Sequence, residues 1–204
     1  INMQFKKTES LRLTFRKNTQ FTDVNNLAEG YVFNNYNSIF RGNRELESAV
    51  VNSYNMNYRS INQFTFTNIF ANASYSKRSN SIQSRANLAG INAVRTSTNS
   101  IFPRETYNVS GRVDKRFKNF KLNAGTSFNY SDFTNVINDQ TVSSNSLNQN
   151  YSASIETNFR DKPNIELGYK YNINQYDNGG FENKFITESP FARVDAYFGK
   201  GFVF

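Results

Sequence analysis

A two-residue alternation of apolar and polar side chains, repeated in segment after segment, constrains this chain more than any other feature. Between Ile165 and Ile173, the residues Ile165, Leu167, Tyr169, Tyr171 and Ile173 fall on one side of an extended chain. Glu166, Gly168, Lys170 and Asn172 fall on the other. Successive side chains of a strand point to opposite faces, so this pattern specifies a strand with one apolar and one wet face. The pattern recurs at Tyr151, Ala153, Ile155, Thr157 and Phe159, and at Leu122, Ala124, Thr126, Phe128 and Tyr130. It recurs again at Tyr107, Val109, Gly111 and Val113, and at Ala192, Val194, Ala196 and Phe198. Val50, Tyr54, Met56 and Tyr58 form a weaker instance, and Leu11, Leu13 and Phe15 a short one. From Phe64 to Tyr75 the parity switches between Phe66 and Ile69, which leaves the faces of that segment unassigned. Helical spacing is nearly absent, so the expected class is all-β.

The connections narrow the class further. Short turns are expected at Arg59-Ser60-Ile61-Asn62, at 115–119, at 160–164 and at Gly199-Lys200-Gly201. Between them lie long connections at 17–47, 77–104, 133–148 and 177–184. Strict alternation of short and long connections is the pattern of a membrane barrel, which has tight turns at one end and long loops at the other. A soluble β-sandwich or solenoid also alternates apolar and polar residues, but with shorter strands and no one-sided loop length. The expectation is therefore an antiparallel transmembrane β-barrel built as a meander, multi-pass in a bacterial outer membrane. Met3 and Phe5 read as the tail of an earlier strand, and Phe202-Val203-Phe204 as the start of a later one. Residues 1–204 are thus expected to be an arc of one larger barrel domain.

Composition agrees with strands that are wet on one side. Only 37% of residues are hydrophobic, yet aromatics reach 16%, with 12 Tyr, 20 Phe and no Trp. Disordered chains are poor in aromatics, so low hydropathy has a different meaning here. Asparagine supplies about one residue in six. There is neither Cys nor His, which removes disulfides, thiolate metal sites and the commonest general base. No cofactor and no enzymatic activity are expected. No apolar run reaches the roughly 18–20 residues of a spanning helix. The net charge of +8 is scattered and forms no continuous basic run, so nucleic acid is not an expected partner.

A loop rich in Asn and aromatics follows Thr14-Phe15-Arg16 and ends in Arg41-Gly42-Asn43-Arg44-Glu45-Leu46-Glu47, before the strand Asn52-Ser53-Tyr54-Asn55-Met56-Asn57-Tyr58. This segment resembles the GNP-x-L-x-x-E region of TonB-dependent receptors, of the outer-membrane type common in Bacteroidota, with Arg44 where that motif has proline. The hairpins from Tyr107 onward are similar to the last strands of that family. The resemblance implies a barrel of about twenty-two strands around an N-terminal plug that lies outside this chain. It also implies energised uptake of a nutrient, and contact with TonB and a surface lipoprotein. The alternative is a non-transporting barrel that scaffolds a surface or secretion complex.

Two groups of residues are candidates for function. Charges expected on the polar, lumen-facing side are Arg112, Asp114, Lys121, Glu156, Glu166, Lys170, Arg193 and Asp195. Sequence spacing pairs Lys121 with Asp114, Lys170 with Glu156, and Arg193 with Asp195. These read as ion pairs in a polar wall rather than as an acid/base site. The segment holding Lys77, Arg78, Arg85, Arg95 and Arg104 has no acid before Glu105. It is either a solvated basic loop or a contact for lipopolysaccharide phosphates or an anionic ligand. Tyr31, Phe33, Tyr36 and Phe40 are expected to pack in the barrel mouth or stack on sugars. Outer-membrane lipid and lipopolysaccharide are the expected surroundings.

Overall fold

A computed structural model describes residues 1–204 except 36–37, 90–91, 138–139, 161, 199–201 and 204; for 34, 84, 86–89, 92–93, 135–137, 197–198 and 202–203 it describes the backbone alone. In chain order the elements are β1 (Asn2–Lys6), β2 (Glu9–Gln20), a single helical turn α1 (Val24–Leu27), β3 (Tyr31–Asn35), β4 (Ser38–Arg41), β5 (Ala49–Asn62), β6 (Thr67–Ser79), β7 (Ile82–Ala89) and β8 (Asn92–Asn99). They continue with β9 (Arg104–Arg116), β10 (Phe120–Ile137), β11 (Gln140–Thr157), β12 (Asn164–Asn178), β13 (Glu182–Asp195), β14 (Tyr197–Phe198) and β15 (Phe202–Val203).

The protein is all-β. Nine strands form one antiparallel meander in the order β1-β2-β5-β6-β9-β10-β11-β12-β13. Each hairpin follows from alternation on neighbouring segments, because antiparallel register brings the apolar sides together. The sheet is open: among the described residues β1 pairs only with β2, and β13 only with β12. β14 and β15 form a separate two-stranded hairpin, whose expected turn at 199–201 and final Phe204 lie outside the described residues.

Connections at the two ends differ, though less simply than the sequence suggests. At one end the links are short: 7–8, 63–66, 117–119 and 158–163. The expected turn at Arg59 to Asn62 is in fact the end of β5, and the chain reverses at 63–66 instead. Asn62 makes that reversal: its Oδ1 accepts from the amides of Phe64 and Thr65, both at 3.0 Å. Phe66 takes a positive φ of 49° there. This turn also resolves the parity switch. Phe64 and Phe66 belong to the turn, and β6 then presents Ile69, Ala71, Ala73 and Tyr75 on one face, with Phe70 on the other.

At the opposite end, two of the four expected long connections are strand. β10 and β11 extend 18 residues each and meet across 138–139, so the segment 133–148 is a projecting hairpin. Likewise β12 and β13 leave only 179–181 between them. Their Asn, Ser and Thr residues read as loop, but side-chain to backbone alternatives lose once a neighbouring strand supplies continuous pairing. The segments 17–47 and 77–104 are long, and carry β3–β4 and β7–β8. These two hairpins join through a parallel β4–β8 pairing, and β7 attaches in parallel to β10 at Val136↔Arg85 and Ile137↔Ala86. A folded loop sheet therefore covers this end.

Among the described residues no hydrophobic core forms. Ala49 is the only buried apolar side chain among the described residues. Among the described residues nothing packs over the apolar face of the meander, whereas a soluble domain needs a second layer there.

Candidate functional site

Cross-strand register sorts the meander into two faces of different chemistry. One face collects the apolar residues of eight strands, β2, β5, β6 and β9 to β13. A row of directly opposed rings runs Phe15, Tyr54, Tyr75, Tyr107, Tyr130, with centroids 4.9, 6.0, 4.7 and 6.1 Å apart in turn. At β11 the aromatics step four residues toward the short turns, where Tyr151 faces Tyr171 at 6.4 Å. Beyond the first row lies a row of polar and charged residues in the same register: Lys17, Asn52, Lys77, Glu105, Asp132, Asn145, Asp177 and Glu182. From there toward the short turns, β9 carries no charge on this face until Lys115. Glu188, opposite Tyr171, interrupts the apolar field on β13. The apolar residues are uncovered: Phe15 is 58% exposed, Val109 52%, Leu167 54% and Ile155 47%.

The other face is paved with amides and hydroxyls. Asn57, Asn72, Ser110, Ser127, Asn150 and Asn172 lie in one transverse row. Asn72 donates to Asn57 at 2.6 Å and Asn150 to Ser127 at 3.0 Å. In the adjacent row Asn108 donates to Ser74 at 3.2 Å, and Asn129 donates to Asn108. This ladder uses the short polar side chains that make the sequence look loop-like.

All eight residues expected on the polar side share this face, but their partners differ from the sequence pairing. Asp114 pairs with Arg112 at 2.9 Å, not with Lys121. Lys121 pairs with Glu156 at 3.0 Å, displacing Lys170. Arg193 pairs with Glu166 at 3.3 Å rather than with Asp195. Register is the reason, since Lys121 stands directly opposite Glu156 and Arg193 opposite Glu166. Glu156 and Glu166 also face each other, a carboxylate pair the sequence spacing does not reveal. The row Arg116, Lys121, Glu156, Glu166, Arg193 thus holds two carboxylates between three cations. Lys170 instead lies over the Phe191 ring at 5.6 Å. Phe191 in turn covers Gly168, where a Cβ would stand 2.2 Å from its ring. With Arg112 and Ser152, the side chains of Glu166, Lys170, Phe191 and Arg193 line an open hollow of about 690 Å³, suited to holding a polar ligand or chain segment by charge and hydrogen bonds. Among the described residues no cluster of three His, Cys, Asp or Glu can hold a metal.

At the loop end, the Gly42-to-Glu47 segment has a defined structural task. Gly42 and Asn43 donate backbone hydrogen bonds to Ala28 and Asn26 at 3.0 and 2.7 Å. A Cβ at Gly42 would stand 2.4 Å from the Ala28 carbonyl oxygen, so only glycine fits this approach. Asn43 Oδ1 accepts from the Glu45 amide at 2.9 Å, turning the chain. Glu47 is then held by Asn99, which accepts from its amide at 2.8 Å and donates to its carbonyl at 2.9 Å. The Asn99 carboxamide also reaches the Asn80 carbonyl, and Asn80 donates to Glu47 Oε2 at 2.8 Å. Asn80 and Asn99 escaped the sequence reading because asparagine is too abundant for any one to stand out.

Compared with known proteins, the chain matches no family model, no curated protein and no solved structure.

The basic residues of 77–104 do not form one patch. Lys77 lies on the apolar-face side and pairs with Glu105 at 3.4 Å. Arg78 and Arg104 stand directly opposite each other on the polar face. Arg85 and Arg95 lie in the loop sheet on opposite sides of the β7–β8 hairpin, because Arg85 faces Thr96 and Arg95 faces Ala86. The aromatic loop is divided in the same way. Tyr31 and Phe33 share one side of β3–β4, Phe40 is on the other, and Tyr36 lies outside the described residues. Among the described residues no helix is long and apolar enough to cross a membrane.

Proposed function

We propose that this chain is a wall segment of a bacterial outer-membrane β-barrel of the TonB-dependent receptor type, serving energised uptake of a nutrient. Its apolar face meets lipid and its polar face lines the interior. The observation that carries this reading is the uncovered apolar face, whose charges lie at the margins on every long strand except β13, where Glu188 stands within it. On β9 the residues Glu105 and Lys115 bound a charge-free stretch of Tyr107, Val109, Gly111 and Val113. Ten residues of strand rise about 34 Å, and a tilt of about 40° reduces this to about 26 Å of height, the size of a barrel's apolar band. Aromatic girdles flank such a band, and must step along successive strands when the strands are tilted, as the rings do at β11. The open edges at β1 and β13 fit an arc, since an unpaired edge in hydrocarbon leaves backbone groups unsatisfied.

The membrane part is tested with spin labels on cysteines replacing Ile155 and Glu156, neighbours that face opposite ways. Label 155 is expected to relax with lipid-soluble oxygen and label 156 with an aqueous paramagnet. Equal aqueous access at both positions overturns the reading. Transport is tested in the host cell. Loss of the protein should remove uptake of one nutrient class, whereas intact uptake with loss of a surface assembly supports the scaffold.

A further inference from the structure

We propose that Arg78 and Arg104 form a binding site for a ligand bearing a phosphate or carboxylate group, reached from the polar face. The two side chains are directly opposed across β6 and β9, which brings their Cβ atoms to about 5 Å and makes like charges repel. Neither makes an ion pair among the described residues. Both are nevertheless held in place. Arg78 Nη2 donates to Gln20 Oε1 at 2.8 Å, and the Arg104 guanidinium lies 5.4 Å from the centre of the Phe133 ring. Two fixed guanidiniums with most donors unused match the bidentate geometry of an oxyanion.

A second observation comes from the row immediately toward the short turns, where Ser76, Thr106 and Ser131 are aligned. Ser131 is only 9% exposed, and its Oγ is buried with no hydrogen-bond partner. A ligand bound at the arginines would pass over this hydroxyl row. The carboxylates on the polar face of the meander, Asp114, Glu156, Glu166 and Asp195, lie near the opposite end of the strands. From Arg104 to Asp114 is about 34 Å of strand, several times the screening length of about 8 Å. Asp23, which lines the adjoining hollow with Gln20 and Arg78, caps α1 by accepting from the Asn25 amide at 2.9 Å. Lipopolysaccharide phosphates would approach from the other face, where Lys77 is already paired with Glu105.

The inference rests on the polar face lining an interior, which the label experiment tests separately. Binding of glucose 6-phosphate and of glucose to the chain in detergent micelles is measured by saturation-transfer NMR. The phosphate sugar should bind and glucose should bind at least about tenfold more weakly. Arg78→Gln and Arg104→Gln should each weaken the phosphate sugar about tenfold, the worth of one charge-assisted contact, while Lys77→Gln leaves it unchanged. Equal binding of the two sugars, or unchanged binding in both arginine variants with a native circular-dichroism spectrum, overturns the site. So does lipid A binding that depends on Lys77 and not on Arg78. If any of these three results appears while label 155 is lipid-exposed, the anion site fails and the membrane wall stands.

Discussion

The Asn99 carboxamide pairs with the backbone of Glu47 as a neighbouring strand would, accepting from its amide at 2.8 Å and donating to its carbonyl at 2.9 Å. Through this contact the end of the first long loop is fixed to the end of the second. Since Asn99 also holds Asn80, one side chain closes both loops on the sheet. The loop sheet β3–β4–β8–β7 is therefore tied to the meander through Glu47, Asn80 and Asn99.

Asn99→Ala should uncouple the loops while leaving the meander intact. Three hydrogen bonds are lost, each worth roughly 0.5–1.5 kcal/mol net. Hydrogen exchange is expected to accelerate at backbone amides of 82–99 and not at β11 or β12. Asn99→Asp keeps the acceptor and loses the donors, so its effect should be intermediate. Uniform acceleration across the whole sheet would contradict the local role.

Phe191 and Gly168 should behave as one unit. The ring occupies the space that any side chain at 168 would need. Gly168→Val is expected to expel it, at roughly 1–3 kcal/mol, and Phe191→Ala to strip cover from the glycine. In the double variant the valine meets no ring, so the two losses should fall short of adding, by at least about 0.5 kcal/mol. Strictly additive losses in a denaturant titration would show that the contact is incidental.

The charge row gives an asymmetric expectation. Lys121→Gln removes the ion pair with Glu156 together with the repulsion between Lys121 and Arg116 directly opposite, and leaves two cations with two acids. Glu156→Gln removes the same ion pair and the repulsion from Glu166, but leaves Arg116, Lys121 and Arg193 with Glu166 alone. At this exposure each change is worth about 1 kcal/mol or less, so the sign of the difference matters more than its size. Glu156→Gln should melt lower than Lys121→Gln at low salt, with the gap shrinking as salt is added.

Some of this architecture is legible in the residues and some is not, for physical reasons. The faces of β9 to β12 follow from alternation because Tyr107 to Val113 and Ile165 to Ile173 keep strict parity. Parity fails at β6 because Phe66 is spent on a turn conformation that only the three-dimensional path reveals. Sequence spacing misplaces the ion pairs because partners are set by register across strands. Glu166 meets Arg193 of the next strand, 27 residues away, and local spacing carries no information about that. The projecting β10–β11 hairpin reads as loop because its Asn and Ser residues favour turns in isolation. The loop knot of Asn80, Asn99 and Glu47 has no sequence signal at all, being three common residues brought together by two separate hairpins.

Depth along one strand offers the most demanding test of the apolar face. On β9 the residues Tyr107, Val109, Gly111 and Val113 point one way between Glu105 and Lys115, and Asn108, Ser110 and Arg112 point the other. If hydrocarbon covers the first set, a single arginine should cost most near the middle. Val109→Arg is then expected to cost about 2–4 kcal/mol in bilayers, and arginine at Tyr107 or Val113 less, as the penalty falls toward either interface. Ser110→Arg adds a cation to a face that already carries Arg112 and should cost little. A protein layer packed on the apolar face would also reject arginine at 109, but with no dependence on depth or on lipid thickness. The same variants measured in thinner and thicker bilayers separate the two cases. Thinning brings residues 107 and 113 closer to water and should reduce their penalties first, with residue 109 following last. Penalties that ignore bilayer thickness would mean that protein, not lipid, covers this face.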